Sequence, residues 1–284
     1  MIGREGWSVM PISLTPDMSN AGAAVEILLL GDTQEADVLA EALQDWPNCH
    51  VHRQSDMPSA VIEQMASING FAAFLRAKAI RLIVNAANPY EAELSDQALA
   101  AAAAAELPIL RLMRPAWHRD QLDSWIDVAS VAAAADICRW YGKRTMITLG
   151  EADLAPFAGN QRCHFIVRLP AAPRAPLNII HHDLIVDRGP FAWVDERRLM
   201  MEQQIDLLVS RNIGGHDSYA KIDVARDLAV PVVMISRPAQ PLQPSAESVA
   251  QALIWIEAWR QSEHHVAIDS RRTGEQAATT AESE

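Results

Sequence analysis

The sequence predicts an α/β protein of two domains, each a mainly parallel sheet covered by helices, the two facing each other across a cleft. Short apolar runs alternate with helical patterns along the chain, which is how βαβ crossovers read. Asp206–Pro238 shows one such unit whole: an apolar run, Leu207–Val209, stops at Ser210-Arg211-Asn212, and a Gly214-Gly215 turn follows. A helical pattern then runs from Asp217 to Leu228 before a second apolar run, Val232–Ile235. The series breaks near Tyr141–Lys143, which separates two sets of elements.

Element by element, Glu26–Leu30 (EILLL) reads as a buried strand. Gly31-Asp32-Thr33 then opens a helix with Ala36, Leu39, Ala40 and Leu43 at helical spacing. Cys49–Arg53 reads as an edge strand, and Phe71, Phe74 and Leu75 sit on a helix ending near Lys78. Leu82–Val84 is the next strand, Asn85–Glu91 a turn, and the alanine-rich Ala92–Ala105 a tightly packed helix, since alanine has the best helix propensity. Ile109–Met113 follows as a strand, then a bridging unit of Trp125–Ala129 and the helix Val131–Tyr141. The second series has strands at Thr145–Leu149 and Cys163–Leu169, short extended pieces around Ile179–Ile185, and a helix at Trp193–Gln203. Asp195 and Glu196 fall in that helix's first turn, where the dipole favours acids. After the crossover unit, Ser245 is expected to cap a last helix, Ala246–Arg260. The expected division is an N-terminal extension at 1–24, domains at 25–142 and 143–261, and a tail at 262–284 too poor in large apolar residues to fold.

The chain has 284 residues, half of them hydrophobic, and a formal charge of −12. That length suits one large or two modest domains. The acidic balance argues against a general nucleic-acid binder. No apolar stretch is long enough to span a bilayer, the N-terminus is a poor signal peptide, and a reduced cytoplasmic protein is the default. Cys49, Cys138 and Cys163 form no CxxC pair, and no histidine stands at metal-ligand spacing from a carboxylate or cysteine, so no metal is expected.

Four turns are candidate sites. At Gly31-Asp32-Thr33, backbone amides can meet a pyrophosphate, or Asp32 or Thr33 simply caps the helix. Asp32 also puts a carboxylate where a phosphate would sit. Asn85-Ala86-Ala87-Asn88-Pro89-Tyr90 can bond a ligand or close an Asx-turn. Arg111, Arg114, Trp117, His118 and Arg119 form either a carboxylate-gripping cluster or a solvated patch. Around Arg211-Asn212-Ile213-Gly214-Gly215, with Tyr219 and Lys221, the glycines allow positive φ or close ligand approach, or mark only a tight turn.

Taken together, ILLLGDTQEA (27–36), LIVNAANPY (82–90), LRLMRPAW (110–117), GPFAWVDE (189–196) and 207–238 resemble the precorrin-6A reductases of cobalamin biosynthesis, including those acting on the cobalt-containing intermediate. The resemblance covers about Glu26 to Trp259. It implies two Rossmann-like domains, NADPH as hydride donor, and a polycarboxylated tetrapyrrole as substrate. Residue by residue, it suggests Gly31, Asp32, Thr33, Arg53 and Asn85 for the cofactor. Arg114, Arg211 and Lys221 would hold acidic groups, while Asn88, Asn212, Gly214, Gly215 and Tyr219 shape the substrate site. The proton donor stays open between Tyr219, solvent and the substrate itself. The chain departs from the family where Asp32 replaces a glycine of Gly-Gly-Thr and where Asn85 and Asn88 replace an acid and a histidine. A non-catalytic tetrapyrrole- or nucleotide-binding paralogue, or a reductase with another substrate, is the alternative.

Overall fold

A computed structural model describes residues 24–262. The expected extension at 1–24 and tail at 262–284 thus lie almost entirely outside the described residues. The chain forms β1 (Val25–Leu30), α1 (Gln34–Gln44), β2 (Cys49–Arg53), α2 (Ser59–Met65), α3 (Ile68–Ala77), β3 (Leu82–Asn85), α4 (Ala92–Ala105) and β4 (Ile109–Leu112). It continues through β5 (Trp125–Val128), α5 (Val131–Tyr141), β6 (Arg144–Thr148), β7 (His164–Leu169), β8 (His182–Val186), α6 (Trp193–Glu202) and β9 (Leu207–Arg211). The series closes with α7 (Ala220–Asp227), β10 (Val232–Ile235) and β11 (Ser245–Ala246), then a last helix, α8, over 249–262. Ser245 is therefore a strand residue and not a helix cap: it pairs in parallel with Arg111.

The strands make two sheets, ordered β11-β4-β3-β1-β2 and β5-β10-β9-β6-β7-β8. Each of β1 with β2 and β3, β6 with β7 and β9, and β10 with β5 and β9 pairs in parallel. The boundary expected at 142–143 is not where the sheets divide, because β5 hydrogen-bonds to β10 and so joins the second sheet. The chain clusters into two compact units: one up to Asn85 with Ala98–Leu110 and the chain from Val249, the other Ala86–Gln97 with Arg111–Ser248.

In the first unit Leu28, Leu30 and Ile83 pack with Phe71, Phe74 and Leu75 of α3. Ala98, Ala101 and Ala102 of α4 join them at i, i+3, i+4 spacing, so small side chains let that helix lie close on the sheet. In the second unit successive strand residues point to opposite faces. Ile147, Val209, Val233 and Ile235 face one core, with Phe157, Phe165, Ala134 and Cys138. Met146, Leu208, Val232 and Met234 face the other, with Met200, Ile222 and Val224. Both faces are covered, which is why these strands read as unbroken apolar runs.

Candidate active site

Open parallel sheets bind ligands beyond the carboxyl ends of their strands, where strand order reverses. In the first sheet that point lies between β1 and β3. Gly31 follows β1 with φ +96°, a conformation glycine adopts without steric cost. Its N–H donates to Gln54 Oε1 at 3.3 Å. Thr33 is the N-cap of α1, its hydroxyl accepting from the Ala36 N–H at 3.3 Å. Asp32 is exposed at the turn. Arg53 is ion-paired with Asp37. Asn85 is wholly buried at the end of β3, which takes its side chain out of a ligand's reach. The backbone here fits a dinucleotide phosphate, because an 11-residue helix turns its N-terminus to the loop. The charge fits less well, with Asp32, Glu35 and Asp37 around that terminus. Arg53 is releasable, since an exposed ion pair is worth about 1 kcal/mol or less.

In the second sheet the reversal lies between β6 and β9, and a cavity of about 390 Å³ opens there. Thr148 at the end of β6 and Gly150 after it line it, with Arg168 from β7, Ser210 and Arg211 from β9, and Arg188, Gly189 and Phe191 from the segment after β8. Lys221 of α7 and Asn88 from the turn before α4 complete the wall.

Of its charged residues Arg168 and Lys221 are buried, Arg211 is half-buried, and Asp187 and Arg188 are exposed. Arg168 pairs with Glu196, the two side chains 5% and 2% exposed. The Arg168 guanidinium also lies 3.8 Å from the Phe191 ring centroid. Arg211 donates to Asp153 Oδ1 at 2.8 Å and stacks 4.5 Å from the Tyr90 ring centroid. Lys221 is buried; its Nζ donates to the Ser218 carbonyl at 3.0 Å and sits 5.3 Å from the Trp117 ring centroid. Burial, reinforced by Arg168 and opposed by Glu196, brings its pKa down to about 7. Asn88 closes an Asx-turn, its Oδ1 accepting from the Tyr90 N–H at 3.0 Å, while also facing the cavity.

Asn212, Gly214, Gly215, Arg114 and Tyr219 do not line the cavity; they build the wall beside it. The Asn212 side chain brackets the Trp117 backbone, accepting its N–H at 2.7 Å and donating to its carbonyl at 2.9 Å. The Asn212 N–H donates to the Tyr90 hydroxyl at 2.8 Å, and that hydroxyl donates to the Ile235 carbonyl at 2.6 Å. Arg237 donates to the Asn212, Arg114, Ile213 and Pro115 carbonyls at 2.7, 2.9, 2.8 and 3.3 Å. Gly214 and Gly215 have φ +73° and +75°, and a Cβ on them would run into the Pro115 carbonyl and the Arg114 side chain respectively. Close packing of two turns, rather than ligand approach, demands these glycines. The Tyr219 hydroxyl accepts from Arg226 Nη2 at 2.7 Å and its ring meets Trp117 at 5.6 Å, so its side chain is tied into the wall and not the cavity lining. Arg111 is no part of an exposed cluster: it is 1% exposed and donates to the Ala87 carbonyl at 2.9 Å. Arg119 is ion-paired with Asp127. Among the described residues no group of three His, Cys, Asp or Glu could hold a metal, and no helix is long and apolar enough to cross a membrane.

The family model for precorrin-6x reductase CbiJ/CobK matches residues 26–257. The chain belongs to this family. The precorrin-6A reductase of Rhodococcus erythropolis is 36% identical over 244 residues, 81% of this chain and 96% of that one. The precorrin-6A reductase of Mycobacterium tuberculosis (strain ATCC 25618 / H37Rv) is 33% identical over 242 residues, again 81% and 96%. The solved structure of CobK precorrin-6A reductase superposes with a TM-score of 0.71 at 24% identity, covering 82% of this chain and 96% of that one. It establishes the shared α/β fold with two mainly parallel sheets. In this member of the precorrin-6x reductase family, sequence reasoning overlooked Arg168, Arg188 and Phe191. The local signal was the GPFAWVDE run, whose Glu196 reads as an acid on a helix dipole. Glu196 is indeed in the first turn of α6, and the structure also makes it the buried partner of Arg168.

Proposed function

We propose that this chain reduces one double bond of precorrin-6A, with NADPH as the hydride donor, as a step of cobalamin biosynthesis. The carrying observation is the cation-lined cavity at the strand-order reversal of the second sheet, in a chain that matches the reductase family over 26–257. A corrin precursor bears many carboxylates, and Lys221, Arg188 and Arg211 offer them charge-assisted hydrogen bonds. Asn88 at the wall and the glycine backbones at 150 and 189 leave room for a carboxylate arm. For the cofactor, Gly31, Thr33 and the N-terminus of α1 supply backbone amides for phosphate, and Arg53, released from Asp37, meets the 2′-phosphate. When bound, NADPH supplies the hydride; the protein's own task is to bind, orient and exclude water. The macrocycle gains a hydride and a proton, and NADPH leaves as NADP⁺.

Asp32 and the Arg53–Asp37 pair favour a second reading, a paralogue that binds tetrapyrrole without turnover. Titrating NADPH into the protein while following tryptophan quenching separates the two. Saturable binding at physiological cofactor concentration is expected of the reductase. Absence of binding there removes it.

A further inference from the structure

The cavity between β6 and β9 is lined by three arginines and one lysine. Arg168 is neutralised by Glu196 and Arg211 by Asp153. Arg188 stands exposed at the mouth beside Asp187, which also lines it. Lys221 differs from all three. Its side chain is buried, and no carboxylate among the described residues forms an ion pair with it. An ammonium has three donors, and the Ser218 carbonyl accepts one of them. The face of Trp117 covers another side. Lys221 lines a cavity large enough for an acidic group, so the site holds a buried amine with no counter-ion paired to it among the described residues.

We propose that Lys221 is the specificity-determining residue of this cavity: it pairs with one acidic group of the ligand, a carboxylate or a phosphate, and takes up a proton from solvent as that group enters. This deepens, and rests on, the reading of the cavity as the reductase's ligand site. No covalent bond changes; a neutral amine, a proton from water and an incoming anion become an ammonium–anion pair. The charged groups acting on Lys221 are Arg168 of β7 and Glu196 of α6, and Arg211 of β9 with Asp187 and Arg188 after β8 line the same cavity. Arg168 disfavours a proton on Lys221 and Glu196 favours it, but these two are tied to each other, so the arriving anion shifts the balance. Burial already brings the amine to about 7, which leaves the empty site mainly neutral at pH 8 and protonated at pH 6. A lysine suits this role because its pKa moves with burial; an arginine would stay charged throughout.

The test is calorimetric titration of the full chain with NADPH and, separately, with precorrin-6A, in Tris and Hepes, whose ionisation heats differ. One ligand is expected to bind with uptake approaching one proton at pH 8 and falling toward none at pH 6. Uptake with NADPH assigns the site to a phosphate, and uptake with precorrin-6A assigns it to a carboxylate. Lys221→Met should abolish that uptake and weaken the same ligand by about tenfold or more. Lys221→Arg, which needs only to fold, should bind with no uptake. Binding of both ligands without uptake, or Lys221→Met binding as the native chain does, overturns the proposal and leaves the reductase reading standing. Failure of either ligand to bind overturns both.

Discussion

Exchanging Gly214 for alanine should cost the fold far more than the same exchange at Gly215, although the two have nearly equal φ, +73° and +75°. Holding alanine in that left-handed region costs each variant about 1–2 kcal/mol. The rest of the cost depends on what the new Cβ meets. At Gly215 it meets Arg114 Nη1 at 2.5 Å and Cδ at 2.6 Å, atoms of a flexible side chain that can swing away. At Gly214 it overlaps the Pro115 carbonyl oxygen, which is backbone. The 212–215 turn must then lift off Pro115, which strips Arg237 of its bonds to the Pro115 and Ile213 carbonyls. Hydrogen bonds from a charged donor contribute about 1.5–3 kcal/mol when buried and less where water can replace them. Gly214→Ala should therefore lose about 3–5 kcal/mol and Gly215→Ala about 1–2 kcal/mol. Urea unfolding followed by circular dichroism reads the difference. Equal losses, or a greater loss at Gly215, would refute the claim that close packing of two turns is what these glycines serve.

Tyr219→Phe should keep full turnover and lose only about 1 kcal/mol of stability, the worth of one bond to Arg226; a large fall in kcat at unchanged KM would make tyrosine the proton donor. Asp32→Gly should tighten NADPH binding by about 1 kcal/mol or less, because the removed charge is exposed and screened, and unchanged affinity in a fluorescence titration would move the cofactor phosphates elsewhere. Lys221 has a folded pKa of about 7 against an ordinary 10.5, so between those values the unfolded chain binds a proton the folded chain lacks. Its contribution therefore makes stability rise with pH across that window, by up to about 1.4 kcal/mol per pH unit, and leaves it flat below. Denaturation curves of Lys221→Met collected from pH 7 to 10 should lack this rise; an identical slope would contradict the buried, unpaired amine.

Much of the fold was legible because it is written locally. Ala36, Leu39, Ala40 and Leu43, chosen by helical spacing, are the buried residues of α1, and Val131–Tyr141 and Val232–Ile235 run over the expected residues. Continuous apolar runs identified strands buried on both faces. The illegible part depends on distant partners. β5 reads as a bridge because its sheet neighbour, β10, lies a hundred residues on. Ser245 looks like a cap because its strand partner Arg111 is equally remote. At the site, a sequence shows that Asn212 stands beside two glycines, but not that its amide is spent on the Trp117 backbone 95 residues away. Glu196 does stand in the first turn of α6, as its sequence position indicates, but its ion-pair partner, Arg168, sits on another strand and could not be read locally. Lys221, Arg211 and Asn88 are expected from sequence to meet a ligand, and the fold gathers the three around one cavity.

The central claim is that this chain moves a hydride from NADPH onto an acidic corrin precursor. Incubating it with precorrin-6A and NADPH deuterated at nicotinamide C4, then weighing the macrocycle by mass spectrometry, tests that claim most directly. The expected result is a reduced macrocycle carrying the deuterium of one C4 face. Recovery of unchanged precorrin-6A with the labelled cofactor still reduced would contradict it.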